Sequence, residues 1–235
     1  MPLPDLTVFQ QTLGVEFRDP QLLQQALAHR SYLHENQQWP TPSYERLEFL
    51  GDAVIGLVAA ELLFLRYPEL GEGALTRLRT ALVRRETLAE LARNLRLGDY
   101  LYMSRGEAAR GGRRREAILA AAYEALVGAI FLDQGFDIAK DFILRTMAPI
   151  MEKAIEESQT SDYKSRLQEM VQSRGKPTPF YRTVATVGPE HDRTFIVEAV
   201  AGSEVLGRGV GANKRVAQRE AARTALETLG GRTGP

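Results

Sequence analysis

Over the first two thirds of the chain, apolar side chains recur at three- and four-residue intervals, the period of helices with one buried face. Residues 3–35 carry two short patterns of this kind, interrupted by Gly14 and by Asp19-Pro20, and Leu22, Leu23, Ala26 and Leu27 share one stripe. A loop over residues 37–43, with Trp39, Pro40 and Pro42, leads into a longer helix that starts at Glu45 and stops at Pro68, whose ring cannot continue it. A further helical pattern covers residues 73–97 through Leu75, Leu78, Leu82, Leu88 and Leu91. Residues 104–115 are rich in glycine and arginine and read as a loop. Helices are expected again over 116–132 and 138–157, separated by Asp133-Gln134-Gly135. The polar stretch 156–161 loses the period and reads as a short linker. Beyond it the rhythm changes. Residues 162–173 are helical, 180–187, 194–201 and 204–211 alternate as strands, and 213–229 form an alanine-rich helix. The expected fold is an all-α domain over residues 1–157, a linker at 158–161, and a small α+β domain of order α-β-β-β-α over 162–231.

The helix from Glu45 carries an unusual load. Glu45, Glu48 and Asp52 stand at i, i+3 and i+7, which places three carboxylates on one stripe. Leu47, Leu50, Val54, Leu57 and Val58 fill the other faces, so the helix is expected to be largely buried. Ionised carboxylates there are costly unless they are paired or bound to a cation. Two readings follow: salt bridges to nearby arginines, or a site for a hard divalent cation, which favours oxygen ligands. The helix over 116–132 offers Ala120, Ala121, Ala122, Ala125, Gly128 and Ala129, small enough for close approach to a helix bearing Gly51 and Gly56.

Composition narrows the setting. The chain has no cysteine, which excludes disulfides and thiolate metal sites and permits a reducing compartment. Neither a signal peptide nor an apolar run of the roughly 20 residues a membrane helix needs is present, so a soluble, cytoplasmic protein is expected. A net charge of zero conceals an asymmetry: residues 1–161 hold 18 basic and 22 acidic side chains, residues 162–235 hold 12 and 8. A basic tail behind an acidic front suits a protein whose tail finds a polyanion on which the front acts. Arg77, Arg79, Arg84 and Arg85 read either as an RNA path or as a solvated basic face, and the arginines of 104–115 as phosphate contacts. His29 reads as a base or, more simply, as a packed structural histidine.

The stretch ERLEFLGDAVIGL, residues 45–57, closely resembles the signature of the ribonuclease III family, and LGVEFRDPQLLQQALAHRSYLHE resembles that family's N-terminal segment. In the tail, DYKSRLQEMVQ, GPEHDRTFIVE and GANKRVAQREAARTAL resemble a double-stranded RNA-binding domain. The resemblance spans residues 6–229 and implies an endonuclease that cuts duplex RNA with Mg²⁺, or Mn²⁺ in its place, and needs no small-molecule cofactor. It implies 5′-phosphate and 3′-hydroxyl ends with two-nucleotide 3′ overhangs, a homodimer with Phe49 inserted into the partner, and a role in rRNA and mRNA processing. It puts metal ligands at Glu48, Asp52 and Glu124, with Glu45 at the rim towards substrate, and catalysis on Asp52, Glu124 and Glu45. Where the family carries an aspartate three residues before that glutamate, this chain has Ala121, inside an otherwise family-like frame, GGRRREAIL before and YEALVGAIFLDQG after. Such a change looks like an inactivating substitution. In the tail, the resemblance implies RNA contacts at Gln168, Gln172, His191, Lys214, Arg215 and Gln218. Two other readings stay open: a protein that holds duplex RNA without cutting it, and a helical metallohydrolase of small phosphates, which the RNA-binding tail disfavours.

Overall fold

A computed structural model describes residues 5–189 and 193–230, with the side chains of 153–154 and 156–162 outside that description. The chain forms two compact units, Met1–Ala154 and Ile155–Pro235. In the first, short helices α1 (Leu6–Leu13), α2 (Pro20–Ala26) and α3 (Arg30–Glu35) precede the long α4 (Glu45–Arg66). Then come α5 (Glu72–Val83), α6 (Arg85–Asn94), α7 (Leu97–Tyr100), α8 (Arg105–Ala109), a 3₁₀ turn at Gly112–Arg114, α9 (Glu116–Gln134) and α10 (Phe136–Ser173). Local chemistry starts and stops the short helices. Asp5 accepts from the amides of Thr7 and Val8, Asp19 accepts from Gln21 with Pro20 at the first helical position, and Gly14 ends α1 at φ +62°.

The core of this unit is α9. Between Ile118 and Ile130 every residue is buried except Ala121 and Glu124, and α4, α6 and α2 pack around it. Large side chains taken fully out of water here, such as Leu63, Leu88, Tyr123 and Phe142, contribute roughly 1.5–3 kcal/mol each. The Tyr123 hydroxyl is not stranded in that core, since it shares a 2.6 Å hydrogen bond with the Thr146 hydroxyl.

Several expectations need correction. Helix α4 buries one face only: Leu57 is 57 % exposed and Leu50 half-buried. The pattern over 73–97 is broken at Arg84, whose extended backbone (ψ 154°) separates α5 from α6, and the Thr87 hydroxyl bridges the break by donating to the Ala81 carbonyl at 2.8 Å. Residues 104–115 are not a plain loop. Ser104 caps α8 by accepting from the Glu107 amide at 3.2 Å, and Glu107 pairs with Arg115. Residues 158–161 lie inside α10, whose polar sequence there holds neither glycine nor proline to interrupt it.

The second unit has strands β1 (Phe180–Val187), β2 (Thr194–Ala201) and β3 (Glu204–Gly211) in one antiparallel sheet of order β1-β2-β3, followed by α11 (Lys214–Gly230). Its core joins Leu167 and Val171 of α10 to Val197, Ala199 and Leu206 of the sheet and to Ala217, Ala221, Ala222 and Ala225 of α11. Gly207, Gly209 and Gly211 face α11 at every second position. A Cβ on Gly209 would lie 2.2 Å from the Ala217 carbonyl oxygen, and one on Gly207 2.4 Å from the Ala225 amide. Alternate glycines on the strand and alanines four apart on the helix therefore bring backbone against backbone. All-α followed by α-β-β-β-α is the order expected from the hydrophobic pattern.

Candidate functional site

The site begins with a crossing of two helices. A Cβ on Gly51 of α4 would stand 1.8 Å from the Glu124 carbonyl oxygen of α9, and one on Gly128 would stand 2.3 Å from the Leu47 carbonyl oxygen. Only two glycines permit this approach. Gly56, expected to share in it, has open space around it, because it lies more than a turn beyond the contact. The crossing carries Glu48 and Asp52 of α4 towards the one opening in the burial of α9, where Ala121 and Glu124 lie a turn apart.

The charges there are in conflict. Burial pushes the Glu124 carboxyl up to about 7, the negative charges of Glu48 and Asp52 push the same way, and Arg85 opposes them weakly. Glu48 is also raised, first by burial and then by Glu45 and Asp52. Glu45 and Asp52 are exposed and Glu48 half-buried, so the stripe runs from solvent to the crossing. Crowded carboxylates that raise one another's pKa are the donor chemistry a hard divalent cation relieves, and in that respect the residues fit one. Ala121, a turn from Glu124, presents only a methyl group, and among the described residues no three histidine, aspartate or glutamate side chains stand close enough to hold a metal ion.

Other residues singled out in the sequence have definite places. His29 caps α3: its Nδ1 accepts from the Ser31 amide at 3.2 Å, and burial lowers its pKa. Phe49 is 81 % exposed, and Leu57 and Phe64 follow it on the open face of α4, beside a groove of 620 Å³ that Leu70, Leu75 and Arg79 also line. Arg113 donates to the carbonyls of Gly98 at 2.8 Å and Asp99 at 3.3 Å, and Arg115 to Glu107, so two of the arginines expected to meet phosphate hold the fold instead. Arg85, read only as one of a basic group, proves to be the cation nearest in effect to Glu124.

In the second unit Gln168 and Gln172 are exposed on α10, and the Gln172 amide donates to the Thr178 hydroxyl at 3.2 Å. Lys214 is exposed at the first position of α11, Arg215 is half-buried beside it, and Asn213 caps the helix by accepting from the Val216 amide at 2.9 Å. One turn on, Gln218 accepts from the ammonium of Lys164 at 2.5 Å. Lys164 was not singled out, and its place in DYKS gives no spacing signal that links it to residue 218. His191 lies outside the described residues.

Comparison with known proteins is consistent along the chain. Residues 19–151 match the ribonuclease-III-like family and residues 163–229 the double-stranded RNA binding motif. Ribonuclease 3 of Thiobacillus denitrificans is 49 % identical over 221 residues, covering 94 % of this chain and 95 % of the relative. Ribonuclease 3 of Dehalococcoides mccartyi strain CBDB1 is 45 % identical over 223 residues, covering 95 % and 94 %. Among solved structures, the nuclease domain of the Campylobacter jejuni ribonuclease III is similar at 41 % identity and TM-score 0.58, covering 62 % of this chain and 97 % of that one, and has a flexible region described as involved in dimer formation.

Proposed function

Because the chain belongs to the ribonuclease III family, we propose that it is built to cut both strands of duplex RNA at the acidic face of the α4–α9 crossing, and that Ala121 suppresses the cut. The observation that carries this reading is the Glu124 carboxyl held up to about 7 by burial and by Glu48 and Asp52 across a contact that only glycine allows. Members of this family are in general dependent on divalent metals. Glu48, Asp52 and Glu124, which are not close enough to hold an ion as they stand, are the residues that would hold Mg²⁺, or Mn²⁺ in its place, once drawn in around it. Such an ion would supply an activated water and neutralise charge on the phosphate.

The chain's own residues do the rest. Glu45, exposed at the outer end of the stripe, meets substrate at the rim. Arg85 tempers the negative charge at Glu124. Lys214 and Arg215, at the capped start of α11, bind phosphate through charge and free amides, while Gln168, Gln172 and Gln218 belong to the same RNA surface. His191 is assigned with them by the resemblance alone. Recognition is by shape, through the shallow minor groove and 2′-hydroxyls of A-form RNA. The products carry 5′-phosphate and 3′-hydroxyl ends with two-nucleotide 3′ overhangs, and the natural work is processing of ribosomal and messenger RNA precursors in the cytoplasm.

The exposed apolar side of α4 supports a homodimer. Phe49, Leu57 and Phe64 form a stripe beside a groove, and a second copy that inserts Phe49 covers both. A second reading, duplex RNA bound and left whole, is favoured by Ala121 and describes the chain as it stands. The two separate on one assay: duplex RNA with Mg²⁺, the protein beside its Ala121→Asp variant, and the ends of any products mapped. Staggered two-nucleotide ends from the variant support the nuclease reading. Binding with no cutting by either protein leaves only the second.

A further inference from the structure

We propose that Lys164 is a third cation of the phosphate-binding end of α11, supplied by another helix and aimed by Gln218. This rests on the reading of Lys214 and Arg215 as phosphate contacts and extends it. Residue 218 lies one turn after Lys214 on α11, on the same side of the helix. It is a neutral glutamine, yet a positive charge is held there. The Lys164 ammonium donates to the Gln218 Oε1 at 2.5 Å and stands 4.8 Å from the centre of the Tyr181 ring.

The choice of partners matters. A lysine tied to a carboxylate has its charge cancelled, and several cations of this unit are used in that way: Arg182 pairs with Glu198, Lys176 with Glu204, and Arg223 with Glu220 and Glu227. Among the described residues Lys164 makes no ion pair. An amide oxygen and a ring face fix its position and leave its full charge. Burial lowers its pKa, with none of the described carboxylates acting to raise it, so the charge is held in place at a cost. A phosphate oxygen is the acceptor that offsets this cost, and the neighbouring Lys214 shows on which side the phosphates lie. With its oxygen already accepting from Lys164, Gln218 is first a positioning residue.

The measurement is the salt dependence of duplex RNA binding by the full chain, in EDTA so that nothing is cut, on a duplex longer than the ~16 base pairs such a domain spans. Each phosphate contact contributes about 0.9 to the slope of log affinity against log salt, so losing one makes a fourfold rise in salt about 3.5-fold less costly. Lys164→Met, which keeps the aliphatic stem over Tyr181, is expected to lower affinity and reduce the slope by about one. Lys164→Arg is expected to keep the slope. Lys214→Met is the control. If it lowers the slope and Lys164→Met does not, Lys164 is packing and the inference fails while the phosphate site stands. If neither lowers it, the phosphate site itself is misassigned. Should Lys164→Met lower the melting temperature, Lys164→Gln, which keeps a donor to Gln218, carries the same test. Gln218→Leu is expected to weaken binding alone and to add nothing in the Lys164→Met background; full additivity overturns the positioning role.

Discussion

Two helices in this chain are drawn onto their neighbours by glycine, and the two contacts leave very different surfaces. In the second unit, Gly207, Gly209 and Gly211 seat α11 on the sheet, and the interface is filled by alanine. In the first, Gly51 and Gly128 seat α4 on α9, and the same contact forces Glu48, Asp52 and Glu124 into one electrostatic neighbourhood while Phe49, Leu57 and Phe64 face outward. The glycine contact of the tail gathers alanine and no crowd of acids. The helical unit has carboxylates that disfavour one another and an apolar stripe without a cover. Close packing by glycine is thus neutral about function; what distinguishes the first contact is the polar residues placed one turn from the glycine. That is the difference between a contact that only packs and one that also gathers charge.

The comparison is sharpened most by restoring the missing carboxylate. Ala121→Asp is expected to raise Mg²⁺-dependent cutting of a long RNA duplex by roughly 10³-fold or more, about 4 kcal/mol of barrier. A fourth acid in the crowded site should also lower stability in EDTA and regain it with Mg²⁺. Equal cutting by both proteins means residue 121 has no part in the chemistry.

Next in size is the open stripe of α4. Phe49→Ala is expected to weaken self-association by about 2–4 kcal/mol and move sedimentation towards monomer at micromolar protein. An unchanged dimer places Phe49 outside the interface.

The glycine contacts themselves come third. Gly51→Ala and Gly209→Ala each force a methyl group into backbone and should cost about 1–3 kcal/mol in denaturant unfolding. In the Ala121→Asp background, only Gly51→Ala should also depress cutting. If Gly209→Ala depresses it equally at saturating RNA, the two contacts do not differ as described.

The smallest effect is in pH. The Glu124 carboxyl is raised in the folded state from 4.5 to about 7. A raised acid stabilises the fold most below 4.5, where both states are protonated, and that contribution is lost as pH rises through 7. Glu124→Gln should therefore gain stability relative to the parent at pH 8 in EDTA, and gain little at pH 5. A difference independent of pH shows that the carboxyl is not strained.

Much of this was legible in the sequence. The three strands stand where alternation placed them, although β1 has no buried residue and β2 is buried at Val197 and throughout 199–201. Both ends of α4 were legible too, since Pro68 stops the helix and the acidic stripe keeps its spacing. Less visible were features set by contacts between distant residues. The break at Arg84 falls inside an unbroken leucine pattern, and only the Thr87 hydroxyl reaching back to Ala81 marks it. Arg113 and Arg115 resemble their neighbours, yet their partners are carbonyls and a carboxylate that no local pattern points to. Burial of Leu57 was overestimated because periodicity counts apolar faces without saying whether this chain covers them. Within the site, the acids of α4 and Glu124 could be named from sequence, while the pairing of Gly51 with Gly128 needed the structure.

The Gly51 contact has a consequence for how such a site is lost and regained. Its spacing is set by main-chain atoms of residues 51, 124, 47 and 128, none of which depends on the side chain at 121. On the proposal that residue 121 completes the site, an alanine there would remove chemistry without disturbing the frame that positions it. A population carrying this form keeps a folded protein whose mould for the active site is intact, one amino-acid change away from the full set of acids. Under that proposal a loss at residue 121 would be reversible in a way that a loss at Gly51 would not, for a larger residue at 51 invites compensating shifts in both helices, and each such shift adds a step to the way back.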